Sequence, residues 1–182
     1  MASVDVADAI RRRRMHREFT DEPVPRPLLQ RMAWAAARAQ QARSGIRNIV
    51  IVDDPQIMAT ARLVLPGFLT NAPAMLVLGT DVVLAEQVLG RRGVESATRI
   101  DVGAACAHLA LFAQTVGLGV CTITSWAEPA VQTLVELPSN IRADVTVAVG
   151  FVTPTPAPAP RGFKTPLHHN RFGTEWERSD ER

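Results

Sequence analysis

The feature that most constrains this chain is the stretch 101–116, in which almost every residue is apolar or small. Val102, Ala105, Cys106, Leu109, Phe112, Ala113 and Val116 recur at helical spacing, and the other side carries Gly103, Ala104, Ala107, His108 and Ala110. A helix that is apolar all round belongs in the interior, so this one is predicted to be central and buried. Gly117-Leu118-Gly119 stops it, with Gly117 as the natural left-handed residue beyond the last turn.

The remaining elements are read around that helix. Residues 3–14 suggest a short helix with Val6, Ala9 and Ile10 on one face, Ser3 or Asp5 as cap, and arginines suited to the negative end of its dipole. Prolines between 17 and 27 impose a connector, and a second helix is expected from about 27 to 41 with Leu28, Leu29, Met32, Ala36 and Ala39 inward. The β-branched run 48–53 reads as a strand. Asp54-Pro55 opens a helix that Leu65-Pro66-Gly67 breaks. Residues 74–79 form a second strand, 120–124 a third, 128–137 a short helix ending at Pro138, and 145–152 a fourth strand. The segment 81–93 is a polar-flanked excursion to which no element is assigned. Residues 153–160 are a proline spacer, and 161–182 form a polar tail without a core of its own. This order suggests an α+β fold, a mixed sheet flanked by helices, as one domain over 1–182 whose tail packs on a partner subunit.

Composition narrows the class. A net charge of +2 gives no global basic field, so charge alone implies no nucleic-acid partner. The lack of an apolar run of about 18 residues argues against a membrane span, and no signal peptide is read at the start. The 2 cysteines, Cys106 and Cys121, read as buried thiols of a reducing compartment, which together suggest a cytoplasmic protein. Their spacing excludes a CxxC centre, and His168-His169 lacks the spacing of a metal site. Gly117-Leu118-Gly119 is no dinucleotide fingerprint, because Thr122 stands where its third glycine belongs. His108 reads as structural or as a pocket wall, and Trp126 as a pocket wall or as a core or interface residue.

The cluster Arg11, Arg12, Arg13, Arg14 and Arg17 admits three readings. It is a phosphate site, since guanidinium forks match phosphate oxygens; or a solvated basic helix end; or a nucleic-acid arm, which lacks interleaved aromatic platforms.

Its context adds a resemblance. The run Arg13-Arg14-Met15-His16-Arg17-Glu18-Phe19, followed by Pro23-Val24-Pro25, Leu28-Leu29 and an alanine-rich helix, resembles the opening of the nitroreductase family. Asn71-Ala72-Pro73 before a strand, the long helix with its Gly-Leu-Gly stop, Leu137-Pro138 before the last strand, and His169-Asn170-Arg171-Phe172-Gly173 in the tail are similar to that family in the same order. The likeness is nearest to its short-chain members. It implies a nitroreductase-like fold, an intertwined homodimer associated along the long helices, and FMN bound between subunits.

The resemblance also implies site residues. Arg13 matches a phosphate-binding arginine, Arg14 the next motif position, and Arg17 a basic residue approaching the flavin pyrimidine ring. Met15 replaces the usual serine. Ala42 stands at the position of a ring-contacting asparagine, with Gln40, Gln41 or Ser44 as substitutes. Thr124 and Ser125 match a segment whose backbone lies against the flavin, and Arg161 and Lys164 a basic pair completing the phosphate site. No side chain is expected to act as general acid or base, because the cofactor carries the redox chemistry. The implied activity is hydride transfer from NADH or NADPH through FMN to a small nitro, quinone or enone acceptor, or flavin-dependent dehydrogenation of a small molecule. The alternative is a catalytically degenerate flavin-binding, storage or regulatory dimer.

Overall fold

The computed structural model of the chain describes residues 4–153 and 165–175. In chain order the elements are α1 (Val6–Arg12), α2 (Arg26–Ala37), β1 (Arg47–Val52), α3 (Pro55–Val64), β2 (Ala74–Asp81), α4 (Val82–Arg92), one π-helical turn (Gly93–Ala97), α5 (Thr98–Thr115), β3 (Leu118–Ile123), α6 (Glu128–Leu134) and β4 (Ile141–Phe151). The strands form one sheet in the order β1-β2-β4-β3, with every neighbouring pair antiparallel. The one parallel pairing among the described residues is a bridge from Met15 to Val120 on the outer edge of β3. The fold is thus α+β, as expected.

β2 and β4 are the inner strands, and β2 is buried along almost its whole length. Its continuous apolar run follows from helices covering both faces. Leu76 and Leu78 join Leu29, Met32, Leu109, Val145 and Val147 in one core, under α2 and α5. Met75 and Val77 join Met58, Leu65, Cys121 and Val131 in a second core, under α3 and α6. Each fully buried large side chain stabilises the fold by roughly 1.5–3 kcal/mol.

Several local readings hold in detail. The Asp54 carboxylate caps α3, accepting from the Gln56 and Ile57 amides at 2.8 and 3.0 Å, and Gly117 takes φ 75° beyond α5. Others are corrected. α2 ends at Ala37, short of 41, because the Arg47 guanidinium takes the carbonyls of Ala36 and Gln40, each at 2.7 Å. α1 buries only Ala9 of its expected face, leaving Val6 and Ile10 exposed where it packs on α5. α5 buries Val102, Ala105, Leu109, Ala110 and Ala113, while Gly103, Ala107 and His108 are exposed, so one protomer covers only part of its surface. Cys121 is buried as expected, but Cys106 is only partly so. The segment 81–93, to which the sequence assigns no element, is helical, with a kink at Gly90, at φ 66° and ψ 176°. The spacer from 154 and tail residues 161–164 and 176–182 lie outside the described residues.

Candidate functional site

The arginine-rich segment lies along the free edge of β3. α1 stops at Arg12, and Arg13 leaves the helical conformation with ψ 127°. The His16 amide donates to the Val120 carbonyl at 3.0 Å, and the Met15 thioether accepts the Thr122 amide at 3.2 Å. The Thr20 amide donates to Phe151 at the end of β4 at 2.8 Å. Between these points the Asn71 side chain holds Phe19 in both directions: it accepts from the Phe19 amide and donates to the Phe19 carbonyl, each at 2.8 Å. Close approach requires glycine beneath. A Cβ on Gly119 would lie 2.9 Å from the His16 ring, and one on Gly150 2.8 Å from the Phe19 ring.

The backbone is therefore pinned while the cationic heads are left outward. Arg13 and Arg17 are exposed and make no ion pair among the described residues. Arg14 is half-buried, its guanidinium reaching the Arg13 and Arg11 carbonyls at 3.4 and 3.5 Å. Burial pushes the Cys121 thiol above its ordinary pKa, and the positive charge of nearby Arg17 opposes this. Burial, and secondarily the charge of Arg14, holds the His16 imidazole below its ordinary pKa.

Thr124 and Ser125 follow β3 directly and are exposed. The Ser125 carbonyl packs so tightly on Gly67 that any Cβ there would collide with it. The structure thus brings Arg13, Arg14, Met15 and Arg17 to the strand that leads into Thr124 and Ser125. Trp126, next in the chain, packs partly buried against the α3/α6 core, and His108 sits 3.3 Å from the Ala35 carbonyl on the other side of the sheet.

Ala42 and Ser44 do not join this group within one chain. Both are exposed in the loop between α2 and β1, the edge strand opposite β3. Three strand spacings, roughly 14 Å, separate the two edges. The loop is held by residues that sequence reasoning did not single out. The Asp101 carboxylate, 8% exposed, accepts the Ala42 amide at 2.7 Å. Arg47 donates to the Ala36, Gln40 and Asp101 carbonyls at 2.7, 2.7 and 2.9 Å. Burial lowers the pKa of Arg47, with Asp101 acting in the opposite direction. The clamp joins residues 54 and 59 positions apart, through the Arg47 contact with the Asp101 carbonyl and the Asp101 contact with the Ala42 amide, so local pattern does not reveal it. Arg161 and Lys164 lie outside the described residues.

A second polar cluster stands beside the clamp. Arg47, Thr80 and Arg142 are lateral neighbours across β1, β2 and β4. Arg142 pairs with the Asp144 carboxylate at 2.7 Å and donates to Thr98 Oγ1 at 3.0 Å, while the Thr80 hydroxyl donates to Asp144. Arg47 partly counters the rise that burial causes in the Cys106 thiol, which is pushed up to about 11. No group of three or more potential metal ligands occurs among the described residues, and no described helix is long and apolar enough to cross a membrane.

Solved structures share this architecture. An FMN-dependent nitroreductase from Clostridium difficile is 20% identical, with a TM-score of 0.73 over 90% of this chain and 98% of that one. The NADPH:FMN oxidoreductase from Vibrio harveyi, solved with NAD+, is 20% identical, with a TM-score of 0.77 over 92% of this chain and 77% of that one. A nitroreductase family protein from Streptococcus pneumoniae is 18% identical, with a TM-score of 0.76 over 86% of this chain and 95% of that one. None of the curated proteins matches the sequence. The profile of the nitroreductase family matches residues 40–151, more than half of the chain. The chain belongs to the nitroreductase family.

Proposed function

We propose that this protein is a cytoplasmic FMN-dependent oxidoreductase that moves hydride equivalents between NADH or NADPH and a small organic acceptor, in a cleft shared by two copies of the chain. The observation that carries this reading is the edge segment 13–17: its backbone is fixed to β3 while Arg13 and Arg17 keep their guanidinium groups exposed and without ion-pair partners among the described residues. Unspent guanidinium groups on a fixed backbone suit a phosphate monoester, and each charged hydrogen bond contributes about 1.5–3 kcal/mol.

The residues present fit FMN. Arg13 and Arg14 would take the phosphate, with Arg161 and Lys164 as further candidates, and Arg17 would bring positive charge to the ring without any proton transfer. Thr124 and Ser125 would line the ring through their backbone. FMN, when bound, supplies the redox chemistry itself. The chain's own residues bind it, orient it and set the charge around it.

Loop residues Ala42 and Ser44 reach the same cleft only from a second copy, since they sit at the far edge of the sheet from the arginines. The surface of one protomer supports such a dimer. Gly103, Ala107 and His108 of α5 are exposed beside Ile100, Val6 and Ile10, which are 63%, 66% and 58% exposed. Burying such a surface is favourable.

A yellow purified protein that bleaches with NADPH and recovers its colour on adding an electron acceptor bears out the reading, as does a sedimenting dimer. A colourless protein that takes up no FMN overturns it. Met15 and Ala42, which lack the polar side chains of the family motif, favour the alternative of a flavin-binding dimer without turnover; a yellow protein inert to both NADH and NADPH selects it.

A further inference from the structure

The loop between α2 and β1 is held at its centre by Asp101. A carboxylate in the first turn of a helix ordinarily serves that helix's own amides or dipole. Here it reaches instead to the Ala42 amide, 59 residues earlier, at 2.7 Å. Arg47 braces the same loop from below through the Gln40 and Asp101 carbonyls.

Fixing one amide fixes a whole peptide plane. The peptide bonds are trans, so the Gln41 carbonyl points opposite to the Ala42 N–H, away from Asp101. The Gln41 carbonyl accepts no hydrogen bond among the described residues. The Gln41 side chain donates to the Arg43 carbonyl, and Ala42 offers only a methyl group. Among the groups the loop centre offers, the Gln41 carbonyl is the main-chain acceptor whose direction the Asp101 contact fixes.

We infer that Asp101 is a positioning residue that aims the Gln41 carbonyl at the imide N–H of the flavin ring, so that the main chain does what a side-chain amide at position 42 would otherwise do. This rests on the proposed reading of the loop as a flavin contact across the dimer. Asp101 itself touches no cofactor; it acts through the peptide plane.

The test compares FMN with 3-methyl-FMN, which lacks that N–H, by flavin fluorescence titration of the full-length protein. The wild type is expected to prefer FMN about tenfold, the worth of one such hydrogen bond. Asp101→Ala should lose most of this preference and bind FMN about tenfold more weakly. Asp101→Asn, which keeps an acceptor oxygen, should restore both. Should Asp101→Ala fail to fold, Asp101→Ser, whose shorter side chain does not span the gap, takes its place. A variant that keeps the full preference, or a wild type that shows none while binding FMN, overturns the inference and leaves the functional reading standing. A wild type that binds neither flavin overturns both.

Discussion

At the starts of β1 and β4, Arg47 and Arg142 are surrounded by acceptors; along the outer edge of β3, Arg13 and Arg17 project outward with no ion-pair partner among the described residues. The first pair lies half-buried beneath α5, where an unpaired charge is very costly, and carbonyls take the terminal nitrogens of Arg47 while a carbonyl, a carboxylate and a hydroxyl surround Arg142; the Arg47 Nε alone of these nitrogens is left without a partner among the described residues. The second pair sits in solvent, where leaving a guanidinium unpaired costs little. The same side chain is thus structural where its hydrogen bonds are spent inside the protein, and available to a ligand where they are not.

The sharpest way to break this contrast is to remove a partner from the buried group. Asp144→Ala leaves Arg142 unpaired, since Asp144 is 3% exposed and Arg142 15%. It should lower stability by about 3–5 kcal/mol in chemical denaturation; a loss below 1 kcal/mol would mean that the cluster is not the structural partner described here.

The edge group should respond in the opposite sense. Arg13→Ala is expected to weaken FMN binding tenfold or more in a fluorescence titration, with stability changed by no more than about 0.5 kcal/mol. Unchanged affinity would remove the phosphate assignment.

Titration of the buried side gives a smaller effect. Cys106 has its pKa raised from 9.0 to about 11 in the folded protein, so the native state holds the thiol proton more tightly than the unfolded chain does. Its contribution is complete below pH 9.0 and lost as pH rises toward 11. Between pH 9 and 10 this amounts to about 1 kcal/mol. Cys106→Ala should flatten that decline in denaturation curves recorded at increasing pH. Met15→Ser is the mildest test. It offers a hydroxyl between Arg14 and His16, and FMN retention should be unchanged or improved by up to about fivefold. Weakened retention would show that the thioether contact with Thr122 is what holds the segment in place.

Legibility in the sequence follows the range of the interactions. Asp54-Pro55 announces the start of α3 because a cap acts on amides two and three residues away. Gly117 announces the end of α5 because the left-handed conformation is a property of that residue alone. The arginine segment was legible as a candidate site, being contiguous. Its anchoring was not: Asn71 lies 52 residues from Phe19, and its double contact with that backbone appears only when β2 and β3 are in place. Helix α4 was not assigned from the sequence; it carries a glycine, Gly90, at a non-helical kink, and buries only Ala85.

Residue order alone therefore determined where α2, α3 and α6 begin, which runs are apolar on both sides, and where cationic side chains are concentrated, since each depends on neighbours a few positions apart; it did not fix α4 or the start of β4, which lies at Ile141 rather than 145. The tertiary structure decided the antiparallel pairing β1-β2-β4-β3, the separation of the arginine segment from Ala42 and Ser44, and the use of Asp101 on a distant loop. These depend on which segments meet in space, and burial makes an unpaired polar group so unfavourable that the fold must bring its partner from far along the chain.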